Sequence, residues 1–287
     1  MDNQMNNNPK ASTLADVYRY IEQYESRLSK GPNSRTRIFY RGQSNYKWPI
    51  KAGVNRENVK VKEIDLLSTY KLDDNMTFFE KIAYIQHYYT GTRFVDFTVN
   101  PDVALYFACS ENEDKDGSFY IWSYAPDSPE WYRIIVFEEL LNLKQEEKIS
   151  IQEFSEKLYE NHKEIREKFD NVDDVSVTII SYIGYGFMIM PEEKEYENNI
   201  RLKRQEGCFF ICGVDFGKQL KSHERWASNA GKNYFYPYKA IEPNRWNEID
   251  EEYPWFKKIM IPKESKKDIL KELKEKGITM EYLMPDL

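Results

Sequence analysis

The clearest periodicity in the chain lies near its start. Leu14, Val17, Tyr20, Ile21, Tyr24 and Leu28 recur at three- and four-residue intervals. That spacing predicts an amphipathic helix capped by Thr13 or Asp16 and closed near Gly31-Pro32. Residues 36–41 alternate toward a strand and run into Phe39-Tyr40-Arg41-Gly42-Gln43. Helical patterns return over 63–71 and 78–88. From Gln86 to Ala108 the texture changes: QHYYTGTRFVDFTVNPDVALYFA sets His87, Arg93, Asp96, Thr98 and Asn100 among apolar and aromatic positions. Polar groups in such a run are costly to bury unpartnered, so the segment is either a satisfied internal network or a binding site. Residues 92–97 read as extended, and Asn100-Pro101 opens a helix over 102–109 with proline at its first position. A turn at 114–117 leads into a strand at 118–124.

In the second half, short apolar runs at 134–137 and 175–180 predict strands on either side of helical patterns at 138–143 and 151–169, the latter highly charged. Strands are expected at 186–190, 207–213 and 256–261. A last helix over 263–276 ends at Gly277, where a C-terminal glycine belongs. No internal repeat and no Gly/Ser linker marks a boundary. The pattern therefore predicts an α+β fold over residues 13–287: one mixed domain with a central split, antiparallel-rich sheet flanked by helices. A helical insertion is expected at about 138–175, and a disordered, Asn-rich start over residues 1–12.

Charge and cysteine content narrow the partners. The 287 residues carry 41 Lys and Arg against 48 Asp and Glu, net -7, which argues against nucleic acid or an anionic membrane as the main partner. No apolar run approaches the roughly 20 residues a membrane-spanning helix needs. The start, MDNQMNNNPK, has no signal-peptide core. Cys109, Cys208 and Cys212 have no paired or metal-ligand spacing and read as small hydrophobes, so no metal is expected. Together these predict a cytoplasmic protein.

The candidate chemistry sits in two stretches and a third further on. Arg41 offers a planar fork for phosphate or carboxylate, or else pairs with a buried acid such as Asp96. Gly42 beside it admits a ligand or another backbone. His87 is either a general base or a hydrogen-bonded core residue. Arg93 and Asp96, three apart on an extended segment, face opposite sides and do not pair with each other. Thr98 or Asn100 caps the following helix, whose amides could also receive a phosphate. Gln205 and Glu206 form an amide and acid pair before a strand: Glu206 either serves a sugar hydroxyl or a cationic transition state, or is a turn carboxylate in solvent. Tyr40, Tyr46, Trp48, Tyr88 and Tyr89 offer flat surfaces for a base, or are packing. No P-loop, no serine elbow and no dinucleotide fingerprint at Gly184 and Gly186 is present.

FYRGQSNYKWPIKAGVNR followed by QHYYTGTRFVDFTVNPDVALYFA resembles the FRG domain of bacterial and phage proteins. NNIRLKRQEGCFFICG and the closing KKIMIPKESKKDILKELKEKGITMEYLMPDL resemble that family's later segments, so the likeness runs from Arg35 to Leu287 around a divergent middle at 125–190. The order of parts is also similar to ADP-ribosyltransferases. That resemblance implies NAD as cofactor, with Arg41, His87 and Glu206 as catalytic residues. It implies Tyr40, Gly42, Gln43, Arg93, Asp96, Thr98, Asn100 and Gln205 as ligand-binding ones. The departures are a missing Ser-Thr-Ser, for which Thr98 stands in, and adjacent Gln205-Glu206 where a spaced pair is usual. The function so implied is that of a nucleotide-binding, NAD-dependent effector in toxin or phage-conflict systems. The alternative is a module that senses a ligand or protein partner without turning it over.

Overall fold

The computed structural model describes residues 9–28, 36–56, 63–70, 72–89, 91–126, 132–143, 148–215, 234–240 and 256–285. In chain order the first half holds helix α1 (Leu14–Leu28), strand β1 (Arg37–Gln43), α2 (Glu63–Thr69), α3 (Phe78–Tyr88), β2 (Phe94–Thr98), α4 (Pro101–Cys109) and β3 (Gly117–Tyr124). The middle is helical: α5 (Tyr132–Asn142), β4 (Ile149–Ser150), α6 (Ile151–Asn161), α7 (Lys163–Lys168) and α8 (Val172–Tyr185). There follow β5 (Phe187–Ile189), α9 (Glu193–Asn198), α10 (Ile200–Arg204), β6 (Gly207–Ile211), β7 (Val214–Asp215), β8 (Tyr234–Ala240), β9 (Phe256–Ile261), α11 (Lys266–Glu275) and α12 (Met280–Leu283). Local chemistry explains the best-defined ends. Thr77 and Glu80 form a reciprocal capping box on α3. The Asn100 side chain caps α4 with Pro101 at its first position. Gly277, at φ 82°, takes the left-handed position after α11.

The main sheet has six strands in the order β5-β6-β2-β1-β3-β9, and all neighbours are antiparallel. The expected mixed fold with an antiparallel-rich sheet flanked by helices is what forms. Alternation along the strands buries both faces. Tyr40, Phe119, Ile121 and Ile259 pack against α1, α4 and α11, while Phe94, Phe209 and Ile211 pack against α3, α5, α6 and α8. Phe39, Val95, Phe97, Tyr120 and Phe210 fill the other face with Ile50 and Ala52.

One seam is different. β1 pairs with β3 along its whole length, from Arg37–Tyr124 to Gln43–Ser118, yet it meets β2 only at Tyr40–Thr98. Beyond that point the two strands part.

Several expectations are corrected. Residues 134–137 and 175–180 lie inside α5 and α8 rather than in strands. Their β-branched content suits a strand, but Ile134, Phe137, Leu140 and Leu141 are buried at helical spacing, and packing overrides propensity. The helical middle therefore reaches from 132 to 185 instead of 138 to 175. The charged helix at 151–169 is broken at His162, whose backbone is extended. The start is ordered by residue 9: Lys10 bridges Met260 of β9 and Ala11 is fully buried. Residues 1–8 of the expected disordered start, and Gly31-Pro32 closing the first helix, lie outside the described residues. A second, three-stranded sheet, β4-β8-β7, had no signature in the pattern.

Candidate ligand-binding cleft

Where β1 and β2 separate, a cleft of about 850 Å³ opens. Arg41, Gly42 and Gln43 form one wall, Asp96, Phe97 and Thr98 the other. Gln86 and His87 at the end of α3 and Arg201 and Gln205 around α10 close one side, and Val103, Tyr106 and Phe107 of α4 floor it. The opening is held apart by side chains that replace the missing ladder. Arg41 Nη1 donates to the carbonyl of Asp96 at 2.5 Å and stands 3.8 Å from its carboxylate. Thr92 Oγ1 donates to Gln86 Oε1 at 2.5 Å, which turns the Gln86 amide so that Nε2 donates to Asp96 Oδ2 at 2.9 Å.

Alternation in β1 puts Arg41 and Gln43 on one face while Gly42 turns to α4. A Cβ on Gly42 would lie 1.8 Å from the carbonyl oxygen of Ala104. Glycine is thus required for β1 to touch the helix that carries Tyr106 and Phe107. Gln43 Nε2 donates to the carbonyl of Pro49 at 3.1 Å, while its Oε1 is buried with no partner among the described residues.

The charge in the cleft is opposite in sign to that of the chain. Four permanent cations line it, Arg41, Lys51, Arg56 and Arg201, against the carboxylates Asp96 and Glu111. Burial lowers the pKa of Arg41, with Asp96 opposing. Burial also pushes the His87 imidazole below its usual range, with Asp96 opposing and the Arg201 charge assisting. Asn199 caps α10 by accepting from Leu202 N with Oδ1, so its Nδ2 faces His87 Nδ1 at 3.2 Å. The neutral ring therefore carries its proton on Nε2. His87 is a donor at neutral pH, and its Nδ1 is spent.

A pH signature follows. An unfolded histidine protonates near pH 6.5, whereas folded His87 resists protonation, so its contribution is present above about pH 6.5 and lost as pH falls toward the folded pKa. Urea unfolding at pH 7.5 and 5.5 is expected to show a larger acid loss for wild type than for His87→Asn. Equal losses would remove this assignment.

Of the residues singled out in the sequence, Tyr40, Arg41, Gly42, Gln43, His87, Asp96, Thr98 and Gln205 line the cleft. Three candidates do not. Arg93 is buried against Glu63 of α2, Nε to Oε2 3.1 Å, with its guanidinium 5.1 Å from the Phe137 ring centroid. Asn100 caps α4 and donates to Glu206 Oε1 at 2.6 Å. Glu206, expected as a catalytic carboxylate, is exposed and held by that bond at a left-handed φ of 44°, outside the cleft. Thr98 is at the wall, yet its hydroxyl is committed: it donates to the carbonyl of Gln205 at 2.7 Å and accepts from Asn100 N.

The rings also sort themselves. Trp48 is 44% exposed at the cleft. Tyr40 is buried on Phe119, Tyr46 lies under Lys258, Tyr88 under Arg201 and Tyr89 on Tyr70. Tyr106 and Phe107 were hidden inside an apolar helix pattern. Arg201 had one available signal: it sits four residues before Gln205, one helical turn away.

Residues 36–117 match the family model described as FRG domain. The chain carries an FRG domain. The match runs from β1 to the first residue of β3, so the FRG segment supplies the tyrosine, arginine and glycine wall, the α3 end, β2 and α4. Arg201, Gln205 and Met280, which complete the cleft, lie beyond it. No curated protein and no solved structure matches the chain. Among the described residues no helix is long and apolar enough to cross a membrane, and no cluster of His, Cys, Asp and Glu could hold a metal ion.

Proposed function

We propose that this FRG-domain protein binds a nucleotide-like ligand in the cleft between β1 and β2. The observation that carries the reading is a nucleotide-sized, cationic cleft in a chain of net charge -7. Such local charge draws an anion. Arg41, fixed by the Asp96 carbonyl, is the phosphate anchor. Trp48, Tyr106 and Phe107 are the surfaces for a ring, and the unpartnered Gln43 Oε1 suits a ligand hydroxyl or amine.

NAD is the ligand we place first, in an ADP-ribosyltransferase-like reaction. Cleaving its glycosidic bond needs a carboxylate beside the developing cation. With Glu206 tied to Asn100 outside the cleft, Asp96 is the group positioned for that part. The alternative, a sensing module without turnover, is favoured by the same withdrawal of Glu206. The effector role in toxin or phage-conflict systems rests on the motif resemblance alone, and the cytoplasmic placement on three buried thiols, none in a disulfide.

Calorimetry with NAD and with AMP, alongside nicotinamide release, tests these readings. Wild type is expected to bind saturably, and Arg41→Gln to bind about 30-fold more weakly, the loss of one charge-assisted contact. Release that disappears in Asp96→Asn makes the protein an enzyme, and binding without release makes it a sensor. No binding of either ligand contradicts the proposal.

A further inference from the structure

Arg201 is a cation with no carboxylate paired to it among the described residues. Its Nη1 donates to the carbonyl of His87 at 3.0 Å, and its guanidinium lies 5.2 Å from the Tyr88 ring centroid. Its Nε is buried without a hydrogen-bond partner among the described residues. Arg41 is held in the same manner. Its Nη1 is fixed to a main-chain carbonyl and its Nε is buried without a partner among the described residues, while the Asp96 carboxylate, 3.8 Å away, offsets part of its charge. A neutral carbonyl orients a guanidinium without cancelling its charge, and an uncancelled charge in a half-enclosed cleft is costly until an anion arrives.

The two arginines line the same cleft and are linked through a run of hydrogen bonds and neighbouring residues. Arg41 bonds to Asp96, Asp96 to Gln86, and His87, next along α3, bonds to Arg201. Arg41 reaches the cleft from β1 and Arg201 from α10, so these two positive charges come from separate elements. A single phosphate group satisfies one of them.

Resting on the nucleotide reading above, we propose that Arg201 is a second anion anchor and that the cleft selects a ligand with two linked anionic groups, a pyrophosphate, over one with a single phosphate. Arg201 lies outside residues 36–117, the stretch that the FRG model matches.

The test is calorimetric titration of the full chain with inorganic pyrophosphate and orthophosphate, and with ADP and AMP. Wild type is expected to prefer the diphosphate of each pair by about tenfold, the worth of one added charge-assisted contact. Arg201→Gln should bring both ratios near one while orthophosphate and AMP still bind. Arg201→Lys, which keeps the charge and the fold, should restore part of the preference. Orthophosphate and AMP bound as tightly as their diphosphates by wild type, or a preference unchanged in Arg201→Gln, overturns the second anchor while leaving the nucleotide reading intact. If none of the four binds, the second anchor falls, and the nucleotide reading falls with it when NAD fails to bind as well.

Discussion

Arg93→Ala is expected to cost about 3–5 kcal/mol of folding stability at neutral pH, the range for breaking a buried ion pair by removing one partner. The Arg93 and Glu63 side chains are each 2% exposed, and they meet at 3.1 Å. Without the guanidinium, Glu63 loses its charge partner in a buried site. Its carboxyl is held above the usual carboxylate range by burial, with Arg93 pulling it down, so in the variant it rises further. The folded variant then keeps a proton that the unfolded chain releases above about pH 4.3. Its stability is greatest below that pH and declines as pH climbs toward the folded value. Urea unfolding at pH 5, 7 and 8 should show the deficit growing with pH. The double variant Arg93→Met with Glu63→Leu should recover most of the loss, because apolar groups of similar volume replace such pairs well. A deficit under about 1 kcal/mol, or one independent of pH, would contradict this account of the pair.

Gly42→Ala is expected to destabilise by about 3 kcal/mol, the upper end of the range for forcing atoms into a packed interior. The added methyl would lie 1.8 Å from the carbonyl oxygen of Ala104 and 2.6 Å from the amide of Ala108. Both belong to the α4 backbone, which cannot rotate aside as a side chain would. β1 and α4 must separate, and α4 carries Tyr106 and Phe107 of the cleft. Gly277→Ala is the contrasting case. It meets nothing within 4 Å, and its cost comes only from a φ of 82°, about 1 kcal/mol. Denaturant midpoints that ranked the two variants equally would mean that β1 and α4 do not touch here.

The parts of the fold that were legible are those whose local signals agreed. Asn100-Pro101 and Gly277 mark helix ends by chemistry that acts within a few residues, and those ends form as expected. The runs at 134–137 and 175–180 carry β-branched residues in buried helices, where tertiary packing outvotes propensity. The site divided in the same way. Arg41, Asp96, Thr98 and Gln205 do line one cleft, because β1 and β2 flank one seam and the end of α10 is tied to Thr98 through the Gln205 carbonyl. Arg93 and Asp96 face apart, as alternation requires, and Asp96 is the one at the cleft. That Arg93 would find Glu63, thirty positions earlier, is information no spacing contains. Glu206 was misplaced by a single residue's turn: at φ 44° it swings away to Asn100 while Gln205 stays at the wall.

The central claim is that a nucleotide-like anion occupies the seam where β1 leaves β2. Amide hydrogen–deuterium exchange with and without saturating NAD tests it most directly. The account predicts slowed exchange over residues 40–44, 96–98 and 201–205 together, and clearly weaker protection in Arg41→Gln at an NAD concentration about ten times the wild-type Kd, as a roughly 30-fold loss of affinity requires. Protection confined to other segments, or the same protection in Arg41→Gln as in wild type, would contradict it.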